Sequence, residues 1–140
     1  MASTHRELIE WKPDYSVNIE SIDSQHQALV SIIGRLRGAM LEGKTRQIVA
    51  PLFTAMNRYA KYHFEYEEQL LEDNGYPDLE SHRNEHAKLV EELKDLESKY
   101  VNGTLHAGAP LMHFLRTWLL DHIGGHDQAY AAFLNERGIT

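Results

Sequence analysis

The sequence contains no cysteine, and that absence excludes disulfides, iron–sulfur clusters and thiolate-bound zinc. Long apolar runs are missing too: nothing approaches the ~20 residues of a membrane span, and the N-terminal "MASTHRELIEWKPDYS" lacks the apolar core of a signal peptide. The expectation is a soluble, cytoplasmic protein without membrane insertion. Positive charge is scarce, with 14 Lys and Arg against 21 Asp and Glu for a net charge of −7. The acidic residues are spread along the chain, so neither nucleic acid nor an anionic membrane surface is an expected partner. Strand-like alternation of useful length and internal repeats are absent as well.

One residue type is abundant. Nine histidines in 140 residues, at His5, His26, His63, His82, His86, His106, His113, His122 and His126, are roughly two to three times ordinary usage and favour metal binding. The length suits one domain, and 42% hydrophobic residues suffice for its core.

The apolar periodicity is helical. Leu29, Ile33, Leu36 and Met40 recur at three- and four-residue steps between Ile22 and Leu41, and Gly43 follows as a stop. A second helix capped by Thr45 carries Leu52, Met56, Tyr59, His63, Tyr66 and Leu70, with Pro51 near its first turns, and ends at "NGYP". A third begins near Asp78, presents Leu79, His82, His86, Leu89, Leu93 and Leu96 on one stripe, and ends at Asn102 and Gly103. Pro110 opens a fourth that is expected to run to Phe133. Short loops make an antiparallel up-down-up-down four-helix bundle over residues 21–136 the simplest packing. Residues 1–20 form a separate extended arm, and Trp11, Tyr15, Val17 and Ile19 predict that it packs along the bundle.

Histidines interrupt these apolar stripes. His63 and Glu67 are four apart on the second helix, and His82 and His86 four apart on the third, so each pair emerges from one face. One such pair is ordinary on an amphipathic helix. However, His26 lies one turn before Leu29 and His122 one turn after Trp118, so every helix offers a ligand to the same interior. A metalloprotease-type zinc site would need glutamate after His82, where Arg83 stands. Five inward histidines plus carboxylates also exceed one zinc, while nitrogen with oxygen ligands suits a pair of irons. On the fourth helix, spacing alone favours His122 with His126, since His122 and Asp127 differ by about 140° in an α-helix. His5, His106 and His113 read as surface residues, and Glu68 as solvated rather than bridging. Spacing does not say whether Tyr59, Tyr66 or Tyr130 bonds to a ligand residue.

The segments "IDSQH", "HFEYEEQLL", "GYPDLESHRNEH" and "WLLDHIGGHD" together resemble the hemerythrins, particularly the single-domain bacterial branch. The resemblance covers nearly the whole chain and implies reversible dioxygen binding at a non-haem di-iron centre. It implies that His82, His86 and His122 hold one iron and His26 and His63 the other. Glu67 and Asp127 would bridge the two Fe2+/Fe3+ ions alongside an oxo or hydroxo bridge. Two octahedral irons need about twelve bonds; five histidines, two bridging carboxylates and one bridging oxygen fill eleven, leaving one on the two-histidine side for oxygen. Leu29, Phe64, Trp118, Leu119 and Ile123 match the apolar lining expected around that position. A carrier or store is favoured, with an oxygen-consuming enzyme as the recipient to be expected. An oxygen- or redox-sensing module acting through a partner protein, and a di-iron oxidase or peroxidase, are the rival readings. Gly124 and Gly125 would permit local bending or close packing beside the site.

Overall fold

The computed structural model describes residues 11–103 and 108–140, apart from the side chain of His126; His5 and His106 lie outside the described residues. A 3-10 turn at Pro13–Tyr15 precedes α1 (Glu20–Leu41), α2 (Thr45–Asp73) and α3 (Leu79–Val101). A fourth rod consists of α4 (Ala109–Thr117), a π-helical stretch (Trp118–His126) and α5 (Gln128–Glu136). No strand occurs among the described residues, and the all-α four-helix bundle expected from periodicity is the observed fold. The stops behave as their residues dictate: Gly43 after α1 and Gly75 after α2 adopt φ of 70° and 68°, a left-handed conformation that costs glycine no Cβ clash. Successive rods pack side by side, and the fourth returns against both α1 and α3. No helix among the described residues is long and apolar enough to cross a membrane.

The described part of the arm, from Trp11 onward, packs against the bundle as its apolar residues predict. Tyr15, Val17 and Ile19 are buried, and Trp11 meets Tyr15 edge-on at 5.7 Å. Asp23 holds the arm to α1, accepting from Ser16 Oγ at 2.6 Å and Val17 N–H at 2.9 Å. From the opposite end of the chain, Asn135 Nδ2 donates to Asn18 O at 3.2 Å.

Two apolar clusters fill the interior. One includes Leu29, Ile33, Leu36, Phe53, Met56, Phe64, Leu93, Leu115 and Trp118; the other gathers Val17, Ile19, Ile22, Leu71, Tyr76, Tyr130 and Leu134. In each rod the histidines and carboxylates fall between members of the two clusters, so a polar layer divides the core. Seven buried ionisable side chains, His26, His63, Glu67, His82, His86, His122 and Asp127, make up that layer. Burying such groups costs several kcal/mol each unless they are paired or bind a metal.

The fourth rod corrects the unbroken α-helix expected from Pro110 to Phe133. From Trp118 to His126 the turns widen, and Asp127 N–H donates to His122 O at 2.7 Å, the i→i+5 bond of a π-helix. The wider turn removes the angular offset of an α-helix, so residues five apart share a face. His122 and Asp127 are accordingly both buried, with Nε2 3.2 Å from Oδ1. Close packing is not what the adjacent glycines provide: a Cβ on Gly124 would meet nothing nearer than Leu119 O at 3.6 Å, and one on Gly125 nothing within 4 Å.

Candidate metal centre

Each rod contributes to the polar layer from its inward face: α1 gives His26, α2 gives His63 and Glu67 one turn apart, α3 gives His82 and His86, and the π-helical stretch aligns His122 with Asp127. The donor atoms fall into two overlapping groups. Glu67, His82, His86, His122 and Asp127 form one, and His26, His63, Glu67 and Asp127 the other, with the donor atoms of each within 4.8 Å of one another.

Both carboxylates divide their oxygens between the groups. Glu67 Oε1 lies 2.5 Å from His82 Nε2 and 3.1 Å from His86 Nε2, while its Oε2 lies 3.2 Å from His63 Nε2 and 3.8 Å from His26 Nε2. Asp127 Oδ1 lies 3.1 and 3.2 Å from the Nε2 atoms of His82 and His122, and its Oδ2 lies 3.0 Å from His26 Nε2. These are the spacings of atoms around shared centres: an octahedron with bonds of about 2.1 Å has edges of about 3.0 Å. Hydrogen bonding explains the layer poorly. His86 Nε2 and both Asp127 oxygens are buried without a hydrogen-bond partner among the described residues, despite the short separations. His26 and His63 bring two Nε2 atoms within 3.2 Å. The donor set, nitrogen plus carboxylate oxygen and no sulfur, fits two cations of the iron type.

Electrostatics holds the layer together when it binds no metal. Burial would lower His26, but the carboxylates of Asp127 and Glu67 outweigh it and lift the imidazole to about 9. The same opposition lifts His82 to about 10 and raises His86, where the nearby Glu67 and Glu68 carboxylates outweigh burial. For His122 burial wins and lowers it to about 4. Burial would raise Glu67, yet His63, His26 and His82 hold it well below its ordinary range; Asp127 is depressed likewise, with burial and the Glu67 charge outweighed by His122, His26 and His82.

Three neighbours orient the layer. Gln25 Oε1 lies 2.6 Å from His63 Nδ1 and Glu68 Oε2 2.7 Å from His86 Nδ1. Both oxygens accept, so each Nδ1 carries a proton and Nε2 is the nitrogen that faces the layer. Tyr130 donates to Glu67 Oε2 at 2.9 Å. Tyr66 instead donates to Ser21 Oγ at 2.8 Å, and Tyr59 stacks on His63 at 5.3 Å. Sequence reasoning passed over Gln25 and set Glu68 aside as solvated. Glu68 is only partly exposed and reaches His86 across the α2–α3 boundary, a relation that spacing along one helix cannot display. It lines a groove of about 650 Å³ with Phe64, Arg83 and His86. Leu29, Phe64, Trp118, Leu119 and Ile123 are all buried in the apolar cluster beside the layer. Phe64 stacks on His86 at 3.8 Å. His113 is exposed, as expected.

Residues 17–134 match the family model described as "Hemerythrin HHE cation binding domain". A bacteriohemerythrin of Stenotrophomonas maltophilia is 30% identical over 128 residues, covering 89% of this chain and 80% of that protein. Another, from Methylococcus capsulatus, is 30% identical over 129 residues, covering 91% and 98%. The crystal structure of a wild-type hemerythrin superposes with a TM-score of 0.81 at 28% identity, covering 90% of this chain and 97% of that one.

Proposed function

The chain belongs to the hemerythrin family, and on that premise we propose that it binds dioxygen reversibly at a pair of irons, as a transport or storage protein rather than an enzyme. His82, His86 and His122 would hold one iron and His26 and His63 the other, with Glu67 and Asp127 offering a carboxylate oxygen to each group. One observation carries this assignment: each carboxylate spans both groups, Glu67 setting Oε1 beside His82 and His86 and Oε2 beside His63 and His26, and Asp127 setting Oδ1 beside His82 and His122 and Oδ2 beside His26. A pair of irons held there would supply the two electrons that reversible dioxygen binding requires.

The protein's own residues make that exchange reversible. Glu67 and Asp127 are already ionised in the buried layer, so they offset cation charge without first losing protons. Gln25 and Glu68 hold their imidazoles in the ligating tautomer. Five protein nitrogens and four protein oxygens leave the two-histidine group the poorer in donors, so an iron held there would have room for an exogenous ligand. Leu29, Phe64, Trp118, Leu119 and Ile123, all buried, exclude the water and protons that would turn reversible binding into net oxidation.

The test is an optical spectrum of the reduced, iron-loaded protein taken through repeated cycles of air and vacuum, with iron counted per chain. A charge-transfer band that comes and goes, on two irons per chain, supports a carrier. Irreversible conversion on first exposure overturns it.

A further inference from the structure

The hydrogen-bond acceptors behind the two histidine groups differ in charge. In the three-histidine group, His86 Nδ1 donates to a carboxylate, Glu68 Oε2, at 2.7 Å. In the two-histidine group, His63 Nδ1 donates to a neutral amide oxygen, Gln25 Oε1, at 2.6 Å, and His26 Nδ1 finds no acceptor among the described residues. Among the described residues the charge of Glu68 is only partly offset. Its cation, Arg83, lies 3.5 Å away but is shared with Glu72 at 3.4 Å and Glu80 at 2.9 Å, leaving one guanidinium among three carboxylates.

A carboxylate that accepts from an imidazole N–H draws the proton towards itself and makes the opposite nitrogen a more basic ligand; an amide does so far less. A more basic ligand favours the higher cation charge. We propose that Glu68 and Gln25 are positioning residues that split the reduction potentials of the two metal positions. The three-histidine position is then the easier to oxidise, and the two-histidine position, where the exogenous ligand binds, is the one that stays ferrous longer. This rests on the di-iron reading above. Outer residues of this kind change metal affinity by about 10–100-fold. A tenfold preference of ferric over ferrous iron at one position equals a split of about 59 mV for one electron.

The experiment is a spectroelectrochemical titration of the iron-loaded full chain, with iron per chain measured on each sample. The wild-type protein is expected to show two one-electron steps. Glu68→Gln, which keeps an acceptor but removes its charge, is expected to raise the lower potential by an amount equivalent to about tenfold and leave the upper one in place. Gln25→Glu is expected to lower the upper potential, and the double exchange to reverse which position oxidises first, read from the Mössbauer spectrum of the half-oxidised state. If Glu68 matters only as packing or as an acceptor, Glu68→Gln is silent and Glu68→Ala alone moves a potential; that overturns the proposal. So does a single two-electron step in the wild type, or a Glu68→Gln shift confined to the upper potential. Fewer than two irons per wild-type chain defeats the di-iron reading itself, which separates the two failures.

Discussion

Replacing Asp127 with asparagine keeps the size and shape of the side chain and removes its charge and one ligating oxygen. The consequences separate into two measurements. In the metal-free protein, Asp127 is one of two carboxylates that lift buried His26 from 6.5 to about 9. At pH 7 that shift corresponds to about 3 kcal/mol of folding stability. Glu67 supplies part of it, and the two carboxylates repel each other, so neutralising Asp127 is expected to lower apo stability by only about 1–2 kcal/mol. For a chain of this size that is a Tm decrease of about 3–8 °C. In the loaded protein the effect is larger in kind: an amide nitrogen does not ligate, so Asp127→Asn cannot span the two groups that Oδ1 and Oδ2 now join. Iron per chain should fall from two to about one, with loss of the bridge-dependent absorption and of most of the Tm increase on metal loading. Asp127→Ala should do the same, while His126→Ala should retain two irons. Full iron content with an unchanged bridge spectrum in both Asp127 variants, or loss of iron in His126→Ala, would refute the assignment.

Further outcomes are expected. His26 and His82 are raised on folding, to about 9 and about 10, so the apo stability they contribute is complete below their unfolded pKa near 6.5 and is lost as pH climbs through 9–10. Urea denaturation of the apo protein between pH 6 and 10.5 should record that decline, whereas a flat profile would contradict it. Loading the apo protein at pH 7 should release the protons held by those two imidazoles, measurable by the buffer dependence of the calorimetric heat. Phe64→Ala removes a buried ring stacked on His86; it should cost about 3–5 kcal/mol and, by admitting water, accelerate loss of the oxygen-binding form in air. Gly124→Ala meets only ordinary contacts and gains helix propensity, so it should be neutral or stabilise by up to about 1 kcal/mol at unchanged iron content; a loss of iron would mean that the glycine is needed for the π-helical turn.

The rods were legible because each carries its own signal. Leu29, Ile33 and Leu36 repeat with the helix, and Gly43 and Gly75 sit where a left-handed residue is required. Six of the seven clustered side chains were legible for the same reason: each replaces an apolar residue on a stripe whose inward direction the neighbouring leucines define. The groups that orient them were not. Gln25 and Glu68 look like ordinary surface residues along their own helices, and their partners His63 and His86 belong to neighbouring rods.

The seventh residue, Asp127, marks the boundary between what sequence and structure determine. The sequence by itself determined an all-α chain of four amphipathic segments and a histidine-rich interior, since periodicity and residue type are local properties. With ideal α-helical geometry, however, spacing placed Asp127 about 140° from His122 and favoured His126 as the partner, and only the resemblance to the hemerythrins pointed to Asp127. What only the tertiary structure decided is how Asp127 reaches the layer. The widened turn from Trp118 to His126, closed by the 2.7 Å bond from Asp127 N–H to His122 O, swings Asp127 into a layer where His26, His82 and His122 surround its carboxylate. A departure from regular helix geometry depends on what the neighbouring rods present to it, and that is settled when the bundle closes.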